Sequence, residues 1–294
     1  MPSDGRRGPH AAGATHGPRG LAARSPGPSP VVLFAALAAG CVNLSAIRDF
    51  ASISADSVGY RRLVRDYVTL PEQQARYRRS CTECEQRAAQ RREQEAGLLL
   101  EQAALQQYMD GLARLAADET VDYSREYGDL GSAVTEAHFA SQREAEAVTT
   151  IAGVLTKAAT DRWRQRQLEH VIERANAPVQ DLVGGLETVT KAFALDNANA
   201  ATLASSYYRT VMLGSRDQAA IAALRDWQEA RAAEFDDRHR ALDAYAAILA
   251  KIGAGHQALF DDRDRLHAED TLRQIAGYAR ELEKARRALH DVRE

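Results

Sequence analysis

Proline placement constrains this chain more than any other feature. Six of the eight prolines (Pro2, Pro9, Pro18, Pro26, Pro28 and Pro30) fall in the first 40 residues, together with seven of the 19 glycines. Proline fixes φ and lacks an N–H, so the opening 30 residues cannot build a helix or a packed core. Only Pro71 and Pro178 remain in the 254 residues that follow, so that stretch is free to be helical almost throughout.

Its patterning agrees. No alternating run of β-branched and aromatic residues is bounded by hairpin turns. Helix signals recur instead with three- or four-residue spacing, the first spaced positions being Ala46, Phe50, Ile53, Ser57, Tyr60, Val64 and Tyr67. Pro71 is then expected to open the next helix at its first position. Ser80–Glu83, Ser141–Glu144 and Ser215–Gln218 each read as a capping box at a helix start. The first leads a helix to about Ala117, and a shorter helix follows from Tyr123 to Ala137. The helix begun at Ser141 is expected to end near Asn176-Ala-Pro178, where Pro178 restarts or kinks it. Stripes then run from Val179 through Leu182, Leu186, Phe193, Leu203 and Tyr207 to Gly214, and from Ile221 through Phe235, Leu242 and Tyr245 to Ile252. Gly253-Ala-Gly255 reads as a helix stop, and the last stripe is Leu259 to Leu289. The last three helices are expected to have about 35 residues and to span about 50 Å each. Short links between long helices imply antiparallel neighbours. The expected fold class is all-α: an elongated antiparallel helical bundle with coiled-coil-like long helices. Residues 41–79 would form an N-terminal tether and first helices, and residues 80–294 the long-helix bundle.

The seam between the two compositions carries its own signal. Arg6, Arg7, Arg19 and Arg24 precede the ten-residue apolar run Val31–Gly40, and Ala38-Ala39-Gly40 leads into Cys41. Ten apolar residues are too few to span a bilayer but suit the core of a secretory signal. Residues 24–42 resemble the signal of bacterial membrane lipoproteins, whose lipobox ends in a small residue and cysteine; Ala38 stands where leucine is usual. The resemblance implies diacylglyceryl transfer to the Cys41 thiol, cleavage between Gly40 and Cys41, and acylation of the new amino terminus. Residues 1–40 would be the cleaved signal, with a true start near Leu21. Val42 rather than aspartate after the lipidated cysteine implies sorting to the outer membrane, on its periplasmic side.

Cys81-Thr-Glu-Cys84 remains. In an oxidising periplasm such a pair is expected to be a disulfide. A thioredoxin-like site lacks its preceding buried strand, a zinc site lacks two further ligands, and two free thiols are the other alternative. Between Arg61 and Arg92 nine arginines face four acids, whereas the chain from residue 41 onward carries a net −6. Arg61, Arg62, Arg65, Arg76, Arg78 and Arg79 are candidates for contact with anionic headgroups. The near-neutral whole argues against nucleic acid as a partner.

No catalytic fingerprint occurs: there is no His-Glu-x-x-His, Gly-x-Ser-x-Gly, phosphate loop or dinucleotide motif. Asp261-Asp262-Arg-Asp264, and Asp236-Asp237 with His239, read as solvated acidic faces rather than metal sites. His138, His170, His256, His267 and His290 are scattered and expected to be exposed. No enzyme activity, metal or cofactor is expected. The leading expectation is a periplasm-facing lipoprotein, a membrane-tethered helical structural or interaction protein meeting a protein partner along its grooves. The alternative is a binding or sensing module with a small ligand held between helices.

Overall fold

The structure, a computed structural model, describes residues 44–119, 130, 133–135, 137–161 and 165–292. The leader, Gly40, Cys41 and most of the helix expected over residues 123–137 lie outside the described residues. Among those described, every regular element is helical: α1 (Ser45–Val58), α2 (Arg61–Ala75), α3 (Thr82–Ala116), α4 (Gln142–Thr160), α5 (Leu168–Gly214), α6 (Gln218–Asp261) and α7 (Glu269–Asp291). Short 3₁₀ turns occupy Gln165–Gln167 and Arg263–Arg265. The chain is the expected all-α bundle, but the last three helices are unequal, with 47, 44 and 23 residues.

α5 and α6 form one long antiparallel hairpin. α3 packs on α1, α2, α4 and α5, and α1 lies against α3, α6 and α7. A single contiguous apolar core runs through all seven helices, so α1 and α2 share it with the later ones. α1 shows why such a face forms. Ile47, Phe50, Ala51, Ser54 and Val58 are buried at helical spacing. The Ser54 hydroxyl donates to the Phe50 carbonyl at 2.7 Å, so a polar group within that face is satisfied.

Both prolines are tolerated inside helices. The first break comes at Gly59 and Tyr60, and Pro71 lies within α2 rather than opening a helix. A proline there leaves the Tyr67 carbonyl without its helical donor. Arg91 of α3 supplies one, with Nη1 donating to that oxygen at 2.9 Å. Pro178 lies within an uninterrupted α5, and the break expected beside it occurs earlier, after Thr160. Gly253 and Gly255 do not stop α6 either; they let other helices approach it. A Cβ at Gly255 would lie 2.4 Å from the Phe50 ring, and one at Gly253 would lie 3.2 Å from Val183.

Helix ends follow local hydrogen-bonding needs. At α4 the capping box is complete: Ser141 Oγ accepts from the Glu144 N–H at 3.3 Å, and Glu144 Oε2 accepts from the Ser141 N–H at 2.8 Å. The other two boxes give way to different caps. Cys81 caps α3, its sulfur accepting from the Cys84 N–H at 3.2 Å. Asp217 caps α6 through Oδ1, which accepts from the N–H groups of Ala219 and Ala220. α3 ends with Asp118 at φ 57° and with the Glu119 N–H bonded to the Arg114 carbonyl, so an aspartate takes the left-handed position usually given to glycine.

Candidate functional site

The α5–α6 hairpin outruns its neighbours. Ala204 is the last buried residue of α5 and Phe235 the first of α6, and nothing from 205 to 234 is buried. The Asn197 side-chain amide donates to the Phe235 carbonyl at 2.9 Å, and Gln228 donates to Ser205 Oγ at 3.3 Å, which fixes the register. Beyond Ala204 the arm continues for ten residues, about 15 Å. Two helices alone can cover only one face of each other. Apolar side chains on the remaining faces therefore meet water: Tyr207 is 40% exposed, Val211 37%, Leu213 83% and Trp227 61%. Leu195 is the only other large apolar side chain so exposed among the described residues.

The corner between α2 and α3 buttresses the base of this arm. The Tyr77 ring centre lies 5.6 Å from that of Tyr207 and 6.1 Å from that of Tyr208, a spacing at which aromatic edges and faces attract. The corner itself is tied down. N–H groups of Arg76, Tyr77 and Arg78 bond back to Gln73, Gln74 and Ala75, and Cys81 and Cys84 are bridged across a Cα separation of 5.1 Å. Arg76, Arg78 and Arg79 are exposed. They line one side of a groove of about 550 Å³ whose other side is Leu203, Tyr207 and Val211.

The basic segment is thus divided. Arg61 and Arg65 are exposed near the start of α2, and Arg62 is 3.6 Å from Asp66. These three lie in the first five residues of α2, and eleven residues, about 16 Å of helix, separate Arg65 from Arg76. The six arginines therefore do not make one patch. Arg91 is internal. It pairs with Asp196, bonds the Tyr67 carbonyl and stacks 4.0 Å above the Tyr67 ring. Arg87 lies 3.7 Å from Asp196, and Arg92 pairs with Glu72.

Polar groups inside the bundle are mostly used by one another. His256 is fully buried, contrary to the expected exposure, because α6 continues past Gly255 and carries it inward. Its Nε2 meets the Tyr108 hydroxyl at 2.7 Å and its Nδ1 meets Asn176 Oδ1 at 2.9 Å. Since Asn176 Oδ1 can only accept, Nδ1 carries the proton and Nε2 accepts from Tyr108. Burial pushes His256 down to about 3. Glu101 differs: it is 1% exposed, and neither carboxylate oxygen has a hydrogen-bond partner among the described residues. Desolvation, and secondarily the Glu144 charge, push it up to about 8.

The acidic runs are solvated and paired. Asp237 pairs with Arg240, His239 lies 3.6 Å from Asp243, and Asp262 accepts from Arg265 and Thr271. Among the described residues no group of three or more His, Cys, Asp or Glu could hold a metal ion. A second groove of about 750 Å³ lies between α1 and α7, with Ala46, Ile53, Ala276 and Ala279 among its lining. Glu283 on its rim accepts from Arg286 and Arg287, whose donors hold that carboxyl down at about 2.

The sequence reading missed the arm, Tyr77 and Tyr208. Leu203 and Tyr207 continue the α5 stripe in phase, and the only available sign was the run of polar and charged residues around them. No described helix is long and apolar enough to cross a membrane. No known protein family, curated protein or solved structure matches the chain.

Proposed function

We propose that the chain is a lipid-tethered interaction protein of the bacterial outer membrane, facing the periplasm and presenting its helical arm to a partner. The observation that carries the interaction reading is the concentration on the arm of four of the five exposed large apolar side chains among the described residues. Tyr207, Val211, Leu213 and Trp227 all lie on it, and on the described body only Leu195 is comparably exposed. Apolar side chains gathered on one exposed element mark a surface made to be covered. The tether rests on the Val31–Cys41 sequence. Two or three acyl chains would hold the protein durably where one would not. The ligand-binding alternative has less support, since the buried Tyr108, His256 and Asn176 bond one another and the rim of the α1–α7 groove pairs its own charges.

Two experiments test the two halves. Cys41→Ser should abolish palmitate labelling and leave a larger, unprocessed precursor; labelling that persists would refute the tether. A photo-crosslinking amino acid at position 227 should capture a neighbour in native membranes, while one at Asp243, exposed on the body, should not. Silence at 227, or equal capture at both positions, removes the interaction reading.

A further inference from the structure

The groove at the base of the arm has a definite chemistry. One wall is mainly apolar: Leu203, Tyr207 and Val211 follow one another at four-residue spacing along α5, with the hydroxyls of Ser206 and Thr210 between them. The other is basic: Arg76, Arg78 and Arg79 are all exposed, and none takes part in an ion pair among the described residues. The basic wall is also held in place. The backbone bonds of the corner hold the turn, the Tyr77 contact with Tyr207 and Tyr208 sets it against α5, and the Cys81–Cys84 bridge closes the residues that follow. A charged site built on a tied-down turn loses less entropy when it engages a ligand than one on a free loop.

Shape and hydrogen bonding select the occupant. The surface is a concave groove, which fits a rod-shaped segment more closely than a flat lipid leaflet. Its walls are helices and a turn, and no sheet edge among the described residues could pair with an extended peptide. A segment laid on these apolar side chains must therefore satisfy its own backbone, which a helix does. From Leu203 to Val211 the floor runs eight residues, about 12 Å, or roughly two helical turns. That length accepts anchors at i, i+3 or i+4, and i+7 of a docked helix. Three guanidinium groups along one edge call for carboxylates flanking those anchors.

We propose that this groove binds an amphipathic helix of a partner protein, apolar on the buried face and acidic on the flank beside Arg76, Arg78 and Arg79. The inference deepens the interaction reading above and rests on it for its biological setting, although the groove can be tested alone.

The test uses the purified mature protein in detergent and a fluorescent 20-residue helical peptide with leucines at i, i+3 and i+7 and glutamates on the flanks. Saturable binding is expected for this peptide. A version with lysine for glutamate should bind at least about tenfold more weakly. The triple variant R76Q/R78Q/R79Q, altered only at exposed residues, should lose about tenfold with an unchanged circular dichroism spectrum, and Val211→Asp should lose a comparable amount through the apolar wall. Failure of the acidic peptide to bind, equal binding of the lysine peptide, or unaltered binding by the triple variant overturns the proposal. Anionic phosphatidylglycerol vesicles that depend on the three arginines while the peptide does not would assign the site to lipid instead and overturn it too. If the peptide fails while position 227 still captures a neighbour in membranes, only the partner chemistry falls and the interaction reading stands.

Discussion

Replacing Glu101 by Gln should make the protein markedly more stable at pH 8 and leave it nearly unchanged at pH 5. Glu101 is buried without a hydrogen-bond partner and is pushed from 4.5 up to about 8, first by desolvation and then by Glu144. A carboxyl whose folded value lies above its unfolded one keeps its proton in the native state after the unfolded chain has released it. Stability is then undiminished below pH 4.5 and falls as pH rises towards 8. Each unit of difference is worth about 1.4 kcal/mol, so the whole effect is of the order of 3–5 kcal/mol. Gln has nearly the same shape and cannot ionise, so the variant should lose this slope. Urea denaturation of both proteins at pH 5 and pH 8 reads it directly. Parallel shifts at the two pH values would show that Glu101 is not the group responsible.

His256 works in the opposite sense. Its folded value of about 3 lies below the ordinary 6.5, so its contribution is intact above pH 6.5 and is lost as pH falls towards 3. Between about pH 4.5 and 6.5 the two slopes oppose each other. The wild-type protein should therefore show a stability plateau there, with decline on both sides.

The second large effect concerns glycine. In an exposed helix interior, Gly→Ala usually stabilises by about 0.5–1 kcal/mol. Gly184 meets that condition, since a Cβ there has nothing within 4 Å. Gly255 does not. A methyl at that position would press on the Phe50 ring at 2.4 Å, and Phe50 is wholly buried between α1 and α6. Gly255→Ala should therefore destabilise by about 1–3 kcal/mol, a Tm decrease of about 3–10 °C for a chain of this size. The same methyl combined with Phe50→Leu should cost less than the two single changes added together, because they share one space. A thermal melt in which Gly184→Ala and Gly255→Ala move Tm in the same direction would contradict the packing described here.

How much of this was legible beforehand depended on whether the deciding interaction was local. The Ser141–Glu144 cap and the end of α3 within a residue of Ala117 are read from neighbours in the chain, and both were expected. Pro71 and Gly253-Ala-Gly255 carry strong local signals for a break, yet the helices continue because distant residues, Arg91 and Phe50, meet those positions. His256 and Glu101 lie at positions that periodicity alone treats as polar surface. They are buried because several helices converge on them. The arm shows the reverse failure: Tyr207 and Val211 keep the core spacing, but no third helix is there to bury them. The arginine-rich segment was visible as charge, while its division between an internal ion pair and two separate surfaces depends on the fold.

The bond from Arg91 to the carbonyl that Pro71 leaves without a helical donor also restricts how the chain can change over time. Replacing Arg91 alone is costly, because the Tyr67 carbonyl would lose its substitute donor and Asp196 would keep only Arg87 at 3.7 Å. Pro71 can be replaced alone, since any other residue restores its own N–H and a carbonyl oxygen has room for two donors. In a mutational path that removes both, losing the proline first is the less costly order, and a descendant that keeps the proline gains by keeping the arginine.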